Sequence, residues 1–199
     1  MQRRRRAAGL VCVVLVALTG CASTKVETTG ATLQEPLCKR DGRKAAALVY
    51  WGPQWRPDQK EPERRETAAL RGIESFLASS ECLARFDVRR LPGASTAQVP
   101  PDGALLKQAS AAVRADKVLV IVVRELGPIL RIGIPSIVEG ATEVVLELRL
   151  LDVPTSTAQA NVRTHWWNGG TFVIKGVGSL ERDMYAALSA ALTPAIAPR

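Results

Sequence analysis

The sequence predicts an α+β fold: a mixed sheet of about five strands, with helices packed mainly on one face, in the order β-α-β-α-β-β-β-α. Three observations predict it. Residues 118–123 (Val-Leu-Val-Ile-Val-Val) are continuously apolar and largely β-branched, as in a strand buried on both faces. Residues 142–153 alternate instead, with Val144, Leu146, Leu148 and Leu150 set against Glu143, Glu147 and Arg149, which describes a strand with one wet face. Elsewhere apolar residues recur at three- and four-residue steps, the period of a helix.

In chain order, Ala45-Ala46-Ala47-Leu48-Val49-Tyr50-Trp51 reads as the first buried strand. Gly52, Pro53 and Pro57 end it. A helix follows, with Glu61, Glu63 and Glu66 near its start, where the macrodipole favours anions. Its apolar face is Ala69, Leu70, Ile73, Phe76 and Leu77. Phe86-Asp87-Val88-Arg89 alternates as a short strand. Pro100-Pro101 breaks the chain, and Asp102 is placed to cap a second helix lined by Leu105, Leu106, Ala109, Ala112 and Val113. After the central strand, residues 126–138 carry Ile129, Leu130, Ile132, Ile134 and Ile137, interrupted by Gly127-Pro128, Gly133 and Pro135. That run is too broken for a long helix and too apolar for an ordinary solvent loop. It is expected either as an irregular edge over the core or as a patch for a partner, a neighbouring subunit or lipid. Residues 158–167 alternate again beyond the Pro154-Thr155-Ser156-Thr157 turn, so an antiparallel hairpin is expected. A last helix over 179–192 presents Leu180, Met184, Leu188 and Ala191, and Pro194 stops it.

The N-terminus carries a different message. Four arginines at 3–6 precede an apolar run over 10–18, and Leu18-Thr19-Gly20-Cys21 closes it. The apolar run is too short to span ~30 Å of hydrocarbon as a helix, but its order of charge, apolar stretch and small residues is that of an export signal. The segment resembles the lipobox of bacterial lipoproteins. That resemblance implies cleavage before Cys21, acylation of its thiol and amine, and a bacterial-envelope location. Ala22-Ser23 after the cysteine lacks the aspartate of inner-membrane retention, which favours the outer membrane, facing the periplasm. The expected organisation is a signal over 1–20, a lipidated N-terminus and flexible tether over 21–43, one globular domain over 44–193 and a tail over 194–199. Of the formal charge of +8, four units leave with the signal arginines. The remaining +4 argues against nucleic acid as a partner.

Four cysteines are present. Cys12 lies in the signal and Cys21 at the lipid site. Cys38 and Cys82 remain, and in an oxidising compartment they are expected to pair, because a strand after Cys38 and its return helix before Cys82 bring both to the same end of the layer; the alternative is two separate thiols with one buried.

Few residues suggest chemistry. Gly176-Val177-Gly178-Ser179 opens a helix, but Glu181 stands where a dinucleotide fingerprint needs its third glycine, and a carboxylate repels phosphate. His165 is the single histidine, and its spacing from the cysteines fits no zinc pattern. No nucleophile-elbow sequence is present, and the carboxylates fall at helix starts and on wet strand faces. No enzyme activity, no metal and no cofactor beyond the lipid on Cys21 are expected. Two features read as contact surfaces. In His165-Trp166-Trp167-Asn168, alternation sends Trp166 inward and His165 and Trp167 outward. Trp167 is then either an interface residue or covered by a helix. The second is the run containing Ile129, Leu130, Ile132 and Ile134.

The stretches Ala115-Asp116-Lys117-Val118-Leu119-Val120-Ile121 and Leu148-Arg149-Leu150-Leu151-Asp152-Val153 resemble the central strand and hairpin of envelope lipoproteins of the CsgG and LpoB type. The N-terminal domain of TolB has a similar final helix. The resemblance covers residues 44–193 by element order. It departs at Pro154-Thr155-Ser156, where a Thr-Gly turn is usual, and no segment matches the membrane-spanning hairpin of a CsgG-type pore. It implies a fold and an envelope setting, and it assigns no catalytic residue. The function expected is a non-catalytic lipoprotein that binds another envelope protein or itself. A ring-forming secretion or polysaccharide-export accessory is the alternative, and an envelope hydrolase the outside reading.

Overall fold

The computed structural model describes residues 22–33, 35–39, 41–91, 99–112, 114–133 and 137–192. The signal segment, with Leu18, Thr19, Gly20 and Cys21, lies outside these residues, as do Ile134 and the tail. The elements are β1 (Ser23–Thr32), β2 (Ala45–Pro53), α1 (Pro62–Ser79), β3 (Leu83–Arg90), α2 (Asp102–Ala112), β4 (Lys117–Gly133), β5 (Ile137–Asp152), β6 (Thr157–Thr171), a short 3₁₀ turn (Val177–Ser179) and α3 (Leu180–Leu192). The strands form one mixed sheet in the order β1-β6-β5-β4-β2-β3.

The α+β class holds, but the sheet has six strands, not five, and the sixth comes from the stretch expected as a tether. Ser23–Thr32 pairs antiparallel with β6 along ten residues. Every residue of it is exposed, so it has no apolar face and offers no period to read. What defines it is the free edge of β6. Gly30, at φ 107°, passes so close to that edge that a Cβ there would lie 2.2 Å from the Asn161 carbonyl oxygen.

The helices occupy both faces for a topological reason. β2 pairs in parallel with β3 on one side and β4 on the other. The chain moves outward through α1 and back across β2 through α2. Two right-handed crossovers in opposite directions place their helices on opposite faces. α1 and α3 cover one face, where Ile73, Phe76, Leu77, Leu180, Met184 and Leu188 pack on Val49, Leu119, Ile121, Leu146 and Leu148. α2 covers one end of the other, setting Leu105 and Ala109 on Leu48, Val118, Val120 and Leu151. The rest of that second face is open.

The β5–β6 hairpin forms as expected. β4 differs from expectation, because the run after Val123 continues as regular strand. β2 ends at Pro53, opposite Val123, so from there β4 is an edge strand, where Pro128 is tolerated. A bulge between Val123 and Glu125 marks the change. Arg65 of α1 covers the newly exposed edge. Its guanidinium donates to the Leu126 carbonyl, and its Nε donates to the Lys60 carbonyl at 2.6 Å. Gly127 leaves room for that guanidinium.

Cys38 and Cys82 are joined as a disulfide, their Cα atoms 4.6 Å apart. The bond holds Leu37 in the core beneath α1 and α3.

Candidate functional site

The open face is built by alternation across three strands. Register sets Lys25 of β1 beside Trp167 of β6, and Trp167 beside Glu143 of β5. The next row of that face joins Glu27, His165 and Val145. Trp166 points the other way and is buried among the helices. Trp167 is half-buried. The group over its ring is the Lys25 ammonium, 5.1 Å from the ring centroid, a cation–π contact. His165 Nε2 lies 2.7 Å from Glu143 Oε1, but off the line of a directed hydrogen bond. Beyond it Glu147 takes Arg124 at 2.8 Å and Arg163 at 3.8 Å. One aromatic plate is thus set in a lattice of alternating charge. A shallow cleft of about 300 Å³ continues from this lattice toward α2, past Glu147, Arg149, Asn161 and Arg163.

The apolar run resolves into two faces of the β4–β5 ribbon. Ile129 is half-buried and, by alternation, shares the face of Trp167. Leu130 and Ile132 fall on the helix-bearing face, beyond the helices, and are 62% and 74% exposed. Ile134 lies outside the described residues. Trp167, His165 and Ile129 therefore share one face of the sheet, whereas Leu130 and Ile132 lie on the other.

Sequence reading passed over a third cluster, although two of its acids stand in the motifs quoted above. At the start of β4, Lys117 is 2% exposed and its Nζ donates to Asp152 at 2.9 Å and to the Gln159 side-chain oxygen. Asp152 also accepts from the Thr155 hydroxyl at 2.6 Å. Asp116 accepts from the Ala46 N–H at 2.8 Å and pairs with Lys39 at 2.8 Å. These contacts tie β2, β4 and the β5–β6 turn together. The signal was available: a lysine and an aspartate interrupting apolar strands at their ends.

Partial burial raises the pKa of the Asp116 carboxyl, but the Ala46 N–H and Lys39 outweigh it and leave the group below its ordinary value. Asp152 behaves alike, with burial opposed by Thr155 and Lys117. A carboxylate lowered in the folded state adds stability that is complete above its unfolded pKa of ~3.9 and is lost as pH falls through the folded value. Urea midpoints followed against pH are therefore expected to stay level above about pH 5 and to fall below about pH 4. Asp116→Asn and Asp152→Asn together should flatten that acid limb. An equally steep limb in the double variant would assign the loss to other carboxylates.

Among the described residues, no group of three or more His, Cys, Asp or Glu could hold a metal ion, and no helix is long and apolar enough to cross a membrane. The open face offers an aromatic ring, charges and backbone, which is the chemistry of binding.

No known family's sequence pattern matches this chain, and no curated protein matches it in sequence. Solved structures overlap it in part. A PelC dodecamer from Paraburkholderia phytofirmans is 17% identical with a TM-score of 0.42, covering 87% of this chain and 100% of that one. The lipoprotein GNA1162 from Neisseria meningitidis is 16% identical with a TM-score of 0.39, covering 72% and 96%. Protein XCC0632 from Xanthomonas campestris is 16% identical with a TM-score of 0.36, covering 83% and 87%. These are similarities of partial outline, and the function proposed below rests on this chain's own residues.

Proposed function

We propose that this chain is a bacterial envelope lipoprotein, acylated at Cys21 and held at the outer membrane facing the periplasm, that works as a non-catalytic assembly module. Its partner, another envelope protein, is taken on the open sheet face. The observation that carries this is Trp167. It is a half-exposed indole on a face that α2 covers only at the far end, flanked by Lys25, Glu143 and His165. An aromatic anchor inside a polar rim is the usual anatomy of a binding hot spot.

The test is Trp167→Ala in the lipidated protein used as bait on detergent-solubilised envelope. Loss of a hot-spot residue costs ~2 kcal/mol or more, about thirtyfold in affinity. The specifically retained partner should therefore fall away, while the melting temperature drops by only a few degrees. A large fall in melting temperature would make Trp167 a packing residue and remove the interface.

A second reading, a ring-forming secretion or polysaccharide-export accessory, is favoured by one observation. The sheet ends in β1 on one side and β3 on the other, so each copy presents two unlike strand edges. Unlike edges meeting head to tail generate rings when the rotation closes. Light scattering on the chain from Ala22 onward separates a monomer from a ring.

A further inference from the structure

Large apolar side chains exposed among the described residues are Val26, Leu33, Leu130, Ile132, Phe172 and Ile174. Four of these six gather at one end of the sheet. Ile132 stands opposite Val138, whose carbonyl accepts the Phe172 N–H at 2.8 Å. Leu130 stands opposite Gly140. The connection after β6 crosses Gly140 so closely that a Cβ there would lie 1.9 Å from the Val173 carbonyl oxygen and 3.5 Å from the Ile174 Cα. Phe172 and Ile174 are 61% and 89% exposed. Phe172 also sits at φ 61°, a left-handed conformation that a bulky residue adopts at a cost. Neither its burial nor its backbone explains an aromatic residue there.

The register of β1 shows what lies beside this group. Ser23 pairs with Gly169, Gly169 with Ala141, and Ala141 with Ile129. The first strand therefore begins in the row next to Leu130. Cys21 is two residues before Ser23, at most ~7.6 Å of chain. β1 is paired from its first residue, which leaves almost no slack between the lipid site and the sheet.

We infer that Leu130, Ile132, Phe172 and Ile174 form an apolar foot that enters the interface of the bilayer in which the Cys21 acyl chains are embedded. The inference rests on the proposed acylation, and it commits to lipid because β1 starts two residues after the anchor's cysteine and at the same end of the sheet as these side chains. The anchor then fixes an orientation as well as a location. The β4–β5 ribbon points into the membrane, the Lys117 cluster points away from it, and the open face of Trp167 stands roughly along the membrane normal. Arg131 and Glu139 face each other in the ribbon, so the contact is apolar rather than a response to anionic headgroups.

Spin labels test it. The lipidated protein carrying Ile132→Cys or Ile174→Cys is labelled and reconstituted into phosphatidylethanolamine–phosphatidylglycerol vesicles. Collisions with oxygen and with a water-soluble nickel chelate are then compared. Both labels are expected ~5–10 Å below the headgroups, rich in oxygen collisions and shielded from nickel, at low and high salt alike. A control label at Thr155→Cys, in the exposed β5–β6 turn, should remain aqueous. Labels at 132 and 174 that stay aqueous overturn the foot. Labels shielded from both reagents also overturn it, because a protein surface then covers them. The anchor is judged separately, by the mass of the N-terminal peptide. The chain from Ala22, held on zinc-loaded chelating lipid by an N-terminal hexahistidine tag, gives the same depth reading without acylation and without paramagnetic metal at the surface, so the two ideas fail independently.

Discussion

Lys117→Ala is expected to destabilise the fold by ~3–5 kcal/mol, the cost of leaving one member of a buried ion pair alone. The lysine is 2% exposed, with Asp152 and Gln159 as its partners. Removing it leaves the Asp152 carboxylate with the Thr155 hydroxyl and amide alone, and it opens a void at the start of the central strand. For a domain of this size the urea midpoint should move down by ~1–3 M. Lys117→Met combined with Asp152→Asn keeps the aliphatic stem and removes the orphan charge. That pair should recover much of the loss, since exchanging both members of a buried pair for neutral groups is often close to neutral in stability. A double variant as unstable as Lys117→Ala would mean that packing, and not charge, dominates the site.

Reduction of the Cys38–Cys82 bond is expected to cost ~3–4 kcal/mol by the chain-entropy account of a loop this long. The closed loop spans 44 residues and contains β2 and α1, so the cross-link limits the unfolded chain over the segment that supplies one strand beside β4 and a helix that covers the sheet. It also pins Leu37 in the core. Urea unfolding with and without a thiol reductant, compared with Cys38→Ser/Cys82→Ser, checks it. The reduced protein and the double variant should coincide, both well below the oxidised protein. Unchanged midpoints under reductant would show that the native contacts of residues 35–39 hold without the bond.

Elements with a strong period were legible before the fold was known. The continuous run over 118–123, the alternation of Val144, Leu146, Leu148 and Leu150, and the helical stripe of Ile73, Phe76 and Leu77 all became core. β1 was illegible because a strand exposed along its whole length has no apolar side to announce. The extension of β4 beyond Val123 was obscured by Gly127 and Pro128, which mark breaks in an interior strand but are harmless on an edge. That β4 becomes an edge there depends on where β2 stops, which no local pattern in β4 records. For the candidate site, alternation sent Trp166 inward and Trp167 outward correctly. The cover on Trp167 comes from Lys25, more than a hundred residues away in sequence, and not from a helix.

What the sequence determined by itself was local: which of the strongly periodic segments are strands or helices, which of their side chains alternate inward, and the order in which they follow one another. These depend on neighbours along the chain, through period and punctuation. Tertiary structure decided the rest: the sixth strand, the opposite placement of α1 and α2, the union of Lys117 with Asp152, and the gathering of four exposed apolar residues beside the start of β1. Each of these depends on pairing between segments far apart in the chain. Hydrogen-bond register and closure of the sheet fix such pairings, and neither is written in any one segment.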